Sequence, residues 1–487
     1  MSEIKINEAV VEKTTKRCRE QGILIPTFSQ QMDPSKIPDV VKKKLSQIGL
    51  WDVNPLNLFR ITWKNDVKSG LFGDVNYIEI PKELTGIEAK VVGLIGKYFP
   101  TGAHKVGAAF GCLVPRLVTG QFDPTTQKAV WPSTGNYCRG GAFDCALLDC
   151  TAVAILPEEM SKERFDWLKA IGAEVIATPG CESNVKEIYD KCWDIKKNRK
   201  DCVIFNQFEE FGNAAWHYNV TGNAIQEVYN KVKGSQGRLS AYISATGSAG
   251  TIGAGDYLRK VYPNVRVAAT EALQCPTLLR NGFGAHRIEG IGDKHIPWIH
   301  NVRNTNAVVA IDDENTMRIL RLFNEEAGQK VLAENGLSES MIKQLPLLGI
   351  SSICNLLAAI KMAKYYEFNK DDVIVTIFTD SAEMYGSRLQ ELQAAKGTYT
   401  TKDAQIDLER YLRGVAIDNM RELNYYDQKA LHNLKYFTWV EQQGRTVEEL
   451  HQLWDPNLWD EKLSQLKEWD KLIEQFNQRS GVLKTFC

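Results

Sequence analysis

From residue 128 to residue 389, short apolar runs alternate with amphipathic stretches, and that alternation leaves few folds open. AVWPSTGN (129–136) and CTAVAILP (150–157) have the pattern of strands that end in polar turns. SKERFDWLKAIGA (161–173) is helix-like, with Phe165, Leu168 and Ile171 at helical spacing behind Ser161 as an N-cap. AEVIATPG, NVKEIYDKCWDIKKN and CVIFNQF continue the series as strand, helix and strand. The segments 238–272 and 371–389 each run from a strand through a glycine-rich or polar turn into a helix. Strands alternating with helices predict an α/β fold of two open, twisted, mostly parallel sheets with flanking helices. In such sheets ligands bind beyond the carboxyl ends of the strands, so the polar turns are where chemistry is expected.

Composition narrows the class further. The chain has 487 residues, 44% hydrophobic and 24% charged, as ordinary globular domains do. A formal charge of −1 gives no electrostatic basis for nucleic acid or an anionic membrane as partner. Eleven cysteines are scattered without paired C-x-x-C spacing, which fits a reduced cytoplasmic protein better than a disulfide framework or a metal site. The first residues are charged and helix-like and lack the apolar stretch of a signal peptide, and no run is long enough for a membrane span. The two ends depart from the alternating pattern. The first 80 or so residues have no clear period, and from about 391 the chain is charged, tryptophan-rich and largely helical in pattern.

Three turns carry polar groups. Thr246 to Thr251 join a strand to a helix, where closely approaching amides, the helix dipole and the hydroxyls of Ser248 and Thr251 suit a phosphate; a ligand-free tight turn fits the same residues. Ser133, Thr134, Gly135 and Asn136 would present amides to a carboxylate or phenolate, or simply start a helix. Thr379, Asp380 and Ser381 close another strand, where an N-cap serves equally well. KYFPTGAHKVGAAFG (97–111) places Lys105 among small and apolar residues. A lysine desolvated in this way becomes a competent amine for a Schiff base, although a lysine extending from a helix face has the same local sequence. What distinguishes the readings is order: the lysine, the STGN loop, the glycine-rich turn and a strand-end serine succeed one another along the chain.

This set resembles the fold-type II, tryptophan synthase β-like pyridoxal-phosphate enzymes, above all the cysteine synthase and cystathionine β-synthase group. STGN is similar to that group's loop, and FNQFEEFGNAAWHYNVTGNAI to its NQF-to-TG segment. GSAGTIGAGDYL resembles the phosphate turn, and HRIEGIGDKHIP, GISSICNLLAA and IFTDSAEMYGS resemble three further motifs. TGAHKVGA is nearer the GAHK of tryptophan synthase β-subunits. The resemblance implies a catalytic core over residues 81–390, with a smaller subdomain near 98–210 and a larger one near 211–390. Residues 1–80 would be an N-terminal extension and 391–487 a helical C-terminal one.

The resemblance further implies pyridoxal 5'-phosphate as cofactor and no metal. Lys105 would form the Schiff base and carry the Cα proton. Gly247, Ser248, Ala249, Gly250 and Thr251 would bind the phosphate, and Asn136 the phenolic oxygen. Ser133, Thr134, Gly135 and Gln207 would hold the substrate carboxylate, while His104 is structural. Ser381 would face the pyridine nitrogen, and its hydroxyl would not keep the ring protonated as a carboxylate does; Asp380, next to it, would reverse that consequence. The implied activity is β-elimination or β-replacement on serine, O-acetylserine or cysteine through an aminoacrylate, with a thiol or sulfide as second partner, in a cytoplasmic homodimer. A serine/threonine dehydratase or threonine synthase is the enzymatic alternative, and a catalytically silent scaffold subunit the other. Ala249 in place of a glycine, EMYGS, VGAAF and CNLLAA depart from the usual patterns and bear on the substrate more than on the cofactor.

Overall fold

A computed structural model describes residues 4–133, 135–181 and 184–486. Its strands, in chain order, are β1 (Tyr77–Ile80), β2 (Lys90–Ile95), β3 (Lys128–Pro132), β4 (Thr151–Pro157), β5 (Glu174–Thr178) and β6 (Cys202–Ile204). They continue with β7 (Arg238–Ala245), β8 (Arg266–Ala272), β9 (Ala307–Ile311), β10 (Asp372–Phe378) and β11 (Met420–Glu422). Seven form one sheet in the order β1-β2-β10-β7-β8-β9-β11, and four form another in the order β5-β4-β3-β6. All pairings in the smaller sheet are parallel, as are those from β2 through β10, β7 and β8 to β9. The two antiparallel pairs, β1 with β2 and β11 with β9, lie at the edges.

The expected pair of open, mostly parallel sheets is therefore the observed architecture. β10 is buried at every position and β7 from Leu239 to Ser244, so both are near-continuous apolar runs covered on two faces, as central parallel strands must be. The helix expected behind Ser161 spans Lys162–Ala170, with Leu168 buried and Phe165 and Ile171 partly buried. Ser161 occupies the N-cap position but makes no capping bond, and its hydroxyl has no partner among the described residues. Both antiparallel edge strands come from outside the alternating region, so the two ends of the chain complete the larger sheet.

Close packing positions the helices that border the sheets' carboxyl ends. Helix Asn136–Leu147, after β3, lies against the start of helix Lys105–Val118, after β2. Gly140 permits this approach: a Cβ there would sit 2.8 Å from the backbone of Val106. Near the C-terminus, Asn477 in helix Leu466–Ser480 pairs with the backbone of Ile25 in both directions, at 3.1 and 2.7 Å, and Asp470 accepts from Phe28 N at 2.7 Å.

The C-terminal segment is anchored by a buried charge. Lys435 is fully enclosed, and its Nζ donates to the carbonyls of Trp298 and His300 at 2.9 and 2.7 Å. Burial pushes its pKa down to about 7. An unfolded lysine titrates near about 10.4, so between these values the unfolded chain holds a proton that the native one lacks. Native stability should therefore rise from pH 7 to pH 10 and lose that contribution as pH falls. Denaturant midpoints at the two pH values should give a rise larger in the wild type than in Lys435→Met, by roughly 4 kcal/mol. Equal rises in the two proteins would contradict this account.

Candidate active site

The carboxyl ends of β7 and β10 in the larger sheet and of β3 in the smaller one open on a single cleft. Lys105, the first residue of its helix, projects into it. Its Nζ donates to Ser248 Oγ at 2.9 Å and to Gln207 Oε1 at 3.4 Å. Asn213 Nδ2 holds the same pair from behind, donating to Ser248 Oγ and to Gln207 O, both at 3.0 Å. Ser248 lies in the turn after β7, which leads into helix Ile252–Val261. The amides of residues 247–251 have no hydrogen-bond acceptor among the described residues. Five successive donors at the positive end of a helix dipole form an anion cradle. Gly250 is needed there because a Cβ would overlap Asn213 Oδ1. Ala249, the departure from the usual glycine, adopts φ +61°, a left-handed conformation that costs a residue with a Cβ about 1–2 kcal/mol.

The cleft thus brings together Lys105, Ser133, Asn136, Gln207 and the turn Gly247–Thr251. Thr134 lies outside the described residues. Gly135 is not on the wall; it packs against Arg164, whose guanidinium a Cβ at this position would overlap. Ser381 is not on the wall either. β10 ends at Phe378 and the chain turns into the short helix Ala382–Tyr385, whose preceding residue is Ser381. The strand end presents Thr379 instead, with its Oγ1 3.2 Å from His104 Nε2. Asp380, between them, is fully buried and accepts from Asn136 Nδ2 at 2.7 Å and from Tyr385 OH at 2.8 Å. Tyr137, Asp293, Ser351 and Thr379 line the cleft as well, and the sequence reading gave none of them a role in the site. A GIG turn marks the neighbourhood of Asp293, the GISS motif contains Ser351, the strand-end turn contains Thr379, and Tyr137 directly follows the STGN loop.

Burial sets the charge of the walls. His104 is 1% exposed, and burial together with the Lys105 charge holds its pKa well below the usual histidine range. His217, edge-on to it at 4.9 Å between ring centroids, is depressed in the same way by burial, then by His104 and Lys105. Both rings are therefore neutral at pH 7. Burial raises the Asp380 pKa against the opposing charge of Arg164. Arg164 belongs to a buried chain of charges that ties the smaller sheet to the larger. Its side chain is 0% exposed and lies 3.2 Å from Glu289, itself 3% exposed, which also binds Arg388 at 2.6 Å. Next to it, Glu163 accepts from the amide and hydroxyl of Ser387, both at 2.8 Å. Among the described residues no group of three His, Cys, Asp or Glu side chains could hold a metal ion.

A family model described as pyridoxal-phosphate dependent enzyme matches residues 97–380. The chain belongs to this family. A cysteine synthase of Staphylococcus aureus is 32% identical over 287 residues, 59% of this chain and 84% of the relative. In fold the chain is similar to a cysteine synthase of Entamoeba histolytica, with TM-score 0.56, 23% identity, and 68% and 92% of the two chains covered. An O-acetylserine dependent cystathionine β-synthase of Helicobacter pylori has TM-score 0.54 and 24% identity over 64% of this chain and 94% of its own. The cofactor of this family member is pyridoxal phosphate, and the cleft suits it: an amine for its carbonyl and five amides for its phosphate.

Two stability changes test this geometry. Ala249→Gly should raise stability by about 1 kcal/mol in denaturant melts, because it relieves the left-handed alanine. Arg164→Met should lower it by about 3 kcal/mol, because the change removes the fully buried one of the two cations that pair with Glu289. Adding Glu289→Gln should recover part of that loss; a double variant weaker by the full sum would argue against the pairing.

Proposed function

We propose that this enzyme catalyses β-elimination and β-replacement on a small amino acid of the serine, O-acetylserine or cysteine type, with a thiol or sulfide as the second substrate. The observation that carries this reading is the meeting of the Lys105 amine with Ser248 Oγ at 2.9 Å, which puts a nucleophilic nitrogen at the mouth of an anion cradle. Pyridoxal phosphate, when bound, supplies an electrophilic carbonyl and an electron sink that acidifies the Cα–H bond of an amino acid. Lys105 would bind that carbonyl carbon through Nζ and, once displaced by substrate, take the proton from Cα. The amides of Gly247, Ser248, Ala249, Gly250 and Thr251 would hold the phosphate against the dipole of helix Ile252–Val261. Asn136 would hold the phenolic oxygen. Ser133, Thr134 and Gln207 would orient the substrate carboxylate, with Gly135 shaping their loop.

The end of β10 supports β-chemistry. Thr379 lines the cleft with its Oγ1 3.2 Å from His104 Nε2, whereas the Asp380 carboxylate is engaged by Asn136 and Tyr385. A hydroxyl rather than a free carboxylate at this strand end would leave the ring nitrogen largely unprotonated, which favours expulsion of a β-substituent over prolonged charge storage in the ring. The names of the relatives, cysteine synthase and O-acetylserine dependent cystathionine β-synthase, point the same way. A homodimer in the cytoplasm completes the proposal. The core cysteines Cys112, Cys138, Cys145 and Cys354 are free thiols, as a reducing compartment keeps them, and no single described helix is long and apolar enough to cross a membrane.

Purified enzyme should carry the visible absorbance of lysine-bound pyridoxal phosphate, and Lys105→Ala should lose it. Turnover of O-acetylserine, serine or cysteine, followed by sulfide consumption or pyruvate release, should fall at least about a hundredfold in the variant. A wild type that binds no cofactor, or a variant that keeps full activity, would refute the assignment. Rapid release of 2-oxobutanoate from threonine would move the enzyme to the dehydratases.

A further inference from the structure

Among the described residues, Asp293 is the one carboxylate on the wall of the cleft, and none of the roles given to Lys105, Ser133, Asn136, Gln207 and the cradle involves it. It follows the turn Gly290–Gly292, where both glycines have positive φ, +94° and +81°. Its backbone is locked on three sides. Thr277 Oγ1 donates to Asp293 O at 2.8 Å, Gly292 N donates to Thr246 O at 3.0 Å, and Gly292 O lies 2.9 Å from His286 Nε2. The residue is 7% exposed, yet Oδ2 is buried with no hydrogen-bond partner among the described residues. A buried carboxylate oxygen without a donor is costly, and a rigid loop that keeps one against a cleft calls for an occupant that supplies the missing partner.

The groups that face it do not remove that cost. Lys105 acts on it from across the cleft and favours the charged form, but burial is the larger influence and pushes its pKa up to about 7. Cys275 and Tyr189 feel its charge in turn, and burial raises both of their pKa values. His295 is paired with Tyr189 OH at 3.0 Å, and burial takes its pKa down to about 3. Burial also depresses His286, while Lys294 points outward over Phe283. Among these groups only Asp293 changes charge near neutral pH while lining the cleft.

We infer that Asp293 is the acid–base group for the β-substituent, and that the donor amino acid therefore carries a free hydroxyl or thiol at Cβ. This rests on the proposed β-chemistry. Lys105 serves the Cα proton, and a hydroxide or hydrosulfide leaving from Cβ must also be protonated, which a carboxyl on the same wall can do while Lys105 holds its proton for the return to Cα. As the Cβ–O or Cβ–S bond breaks, its electron pair goes to the heteroatom and the proton of the Asp293 carboxyl moves there. Water or hydrogen sulfide departs and Asp293 is left as a carboxylate. In replacement, an incoming thiol forms a new bond to Cβ and gives its S–H proton to Asp293, which restores the carboxyl. In elimination, solvent returns the proton. Acetate leaves as a stable anion and needs no such help, so an O-acetyl donor would leave this group idle.

The test compares donors in cofactor-loaded enzyme. In Asp293→Asn the ratio of kcat/KM for O-acetylserine to that for serine should rise about a hundredfold, and Asp293→Glu should restore part of it. An unchanged ratio overturns the inference. In the wild type, kcat/KM for serine should fall above pH 7 while that for O-acetylserine holds; parallel profiles also overturn it, and this measurement needs no variant. Infrared titration of cofactor-free protein should show a buried carboxylic acid band with a midpoint near 7, absent in Asp293→Asn. A midpoint in the ordinary carboxylate range counts against it. If the loaded enzyme turned over no amino acid at all, the proposed function would fail, and the infrared result would still report on the carboxyl itself.

Discussion

The hydrogen bond from Lys105 Nζ to Ser248 Oγ joins two parts of the chain 143 residues apart, and the rest of the site is arranged around it. Lys105 is where it is because β2 ends in a turn and the next helix begins against Gly140 of a neighbouring helix, with no room for a Cβ between them. Ser248 is where it is because β7 runs buried to the cleft and then breaks into a turn too tight for hydrogen-bonded amides. Asn213 holds both the hydroxyl and the Gln207 backbone, so the amine, the cradle and the Gln207 segment are tied together. A cofactor that needs a carbonyl trap and a phosphate seat a fixed distance apart depends on that rigidity.

Burial encloses the charged groups around the cleft. Asp380, Glu289 and Arg164 are paired, by an amide, a phenol and one another, and they tie the end of β10 to the smaller sheet. Asp380, Glu289 and Asp293 each keep one carboxylate oxygen without a hydrogen-bond partner among the described residues, and of the three only Asp293 lines the cleft. An unsatisfied oxygen on a cleft wall is a group that a ligand can reach, as groups at reactive sites are.

Much of this is legible in the chain itself. β3, β4, β7 and β10 can be read because central parallel strands are unbroken apolar runs closed by polar turns, and the turns carry Lys105, Asn136, Gln207 and the cradle at positions that meet in the fold. β2 and β9 are harder to read: both are short apolar runs, and each is distinguished mainly by the neighbours it pairs with. The edge strands β1 and β11 owe their conformation to the sheet edge they complete, and nothing in their own pattern marks them. Thr379 rather than Ser381 lines the cleft because side-chain direction at a strand end depends on where the chain leaves the sheet, and a shift of one or two residues there changes which side chain reaches the wall.

The sequence by itself determined the alternation of strand and helix, the glycine-rich turn and a lysine among small residues, since each is a local matter of hydrophobic period and backbone freedom. Those features imply the α/β architecture, and it is their resemblance, in order, to a known family's motifs that implies the class of cofactor. Only the tertiary structure decided that Thr379 faces the cleft, that Asp380 is spent on Asn136 and Tyr385, and that Asp293 lines the same cleft as Lys105. The physical reason is that desolvation and pairing depend on which distant segments close over a side chain. No window of neighbouring residues contains that information.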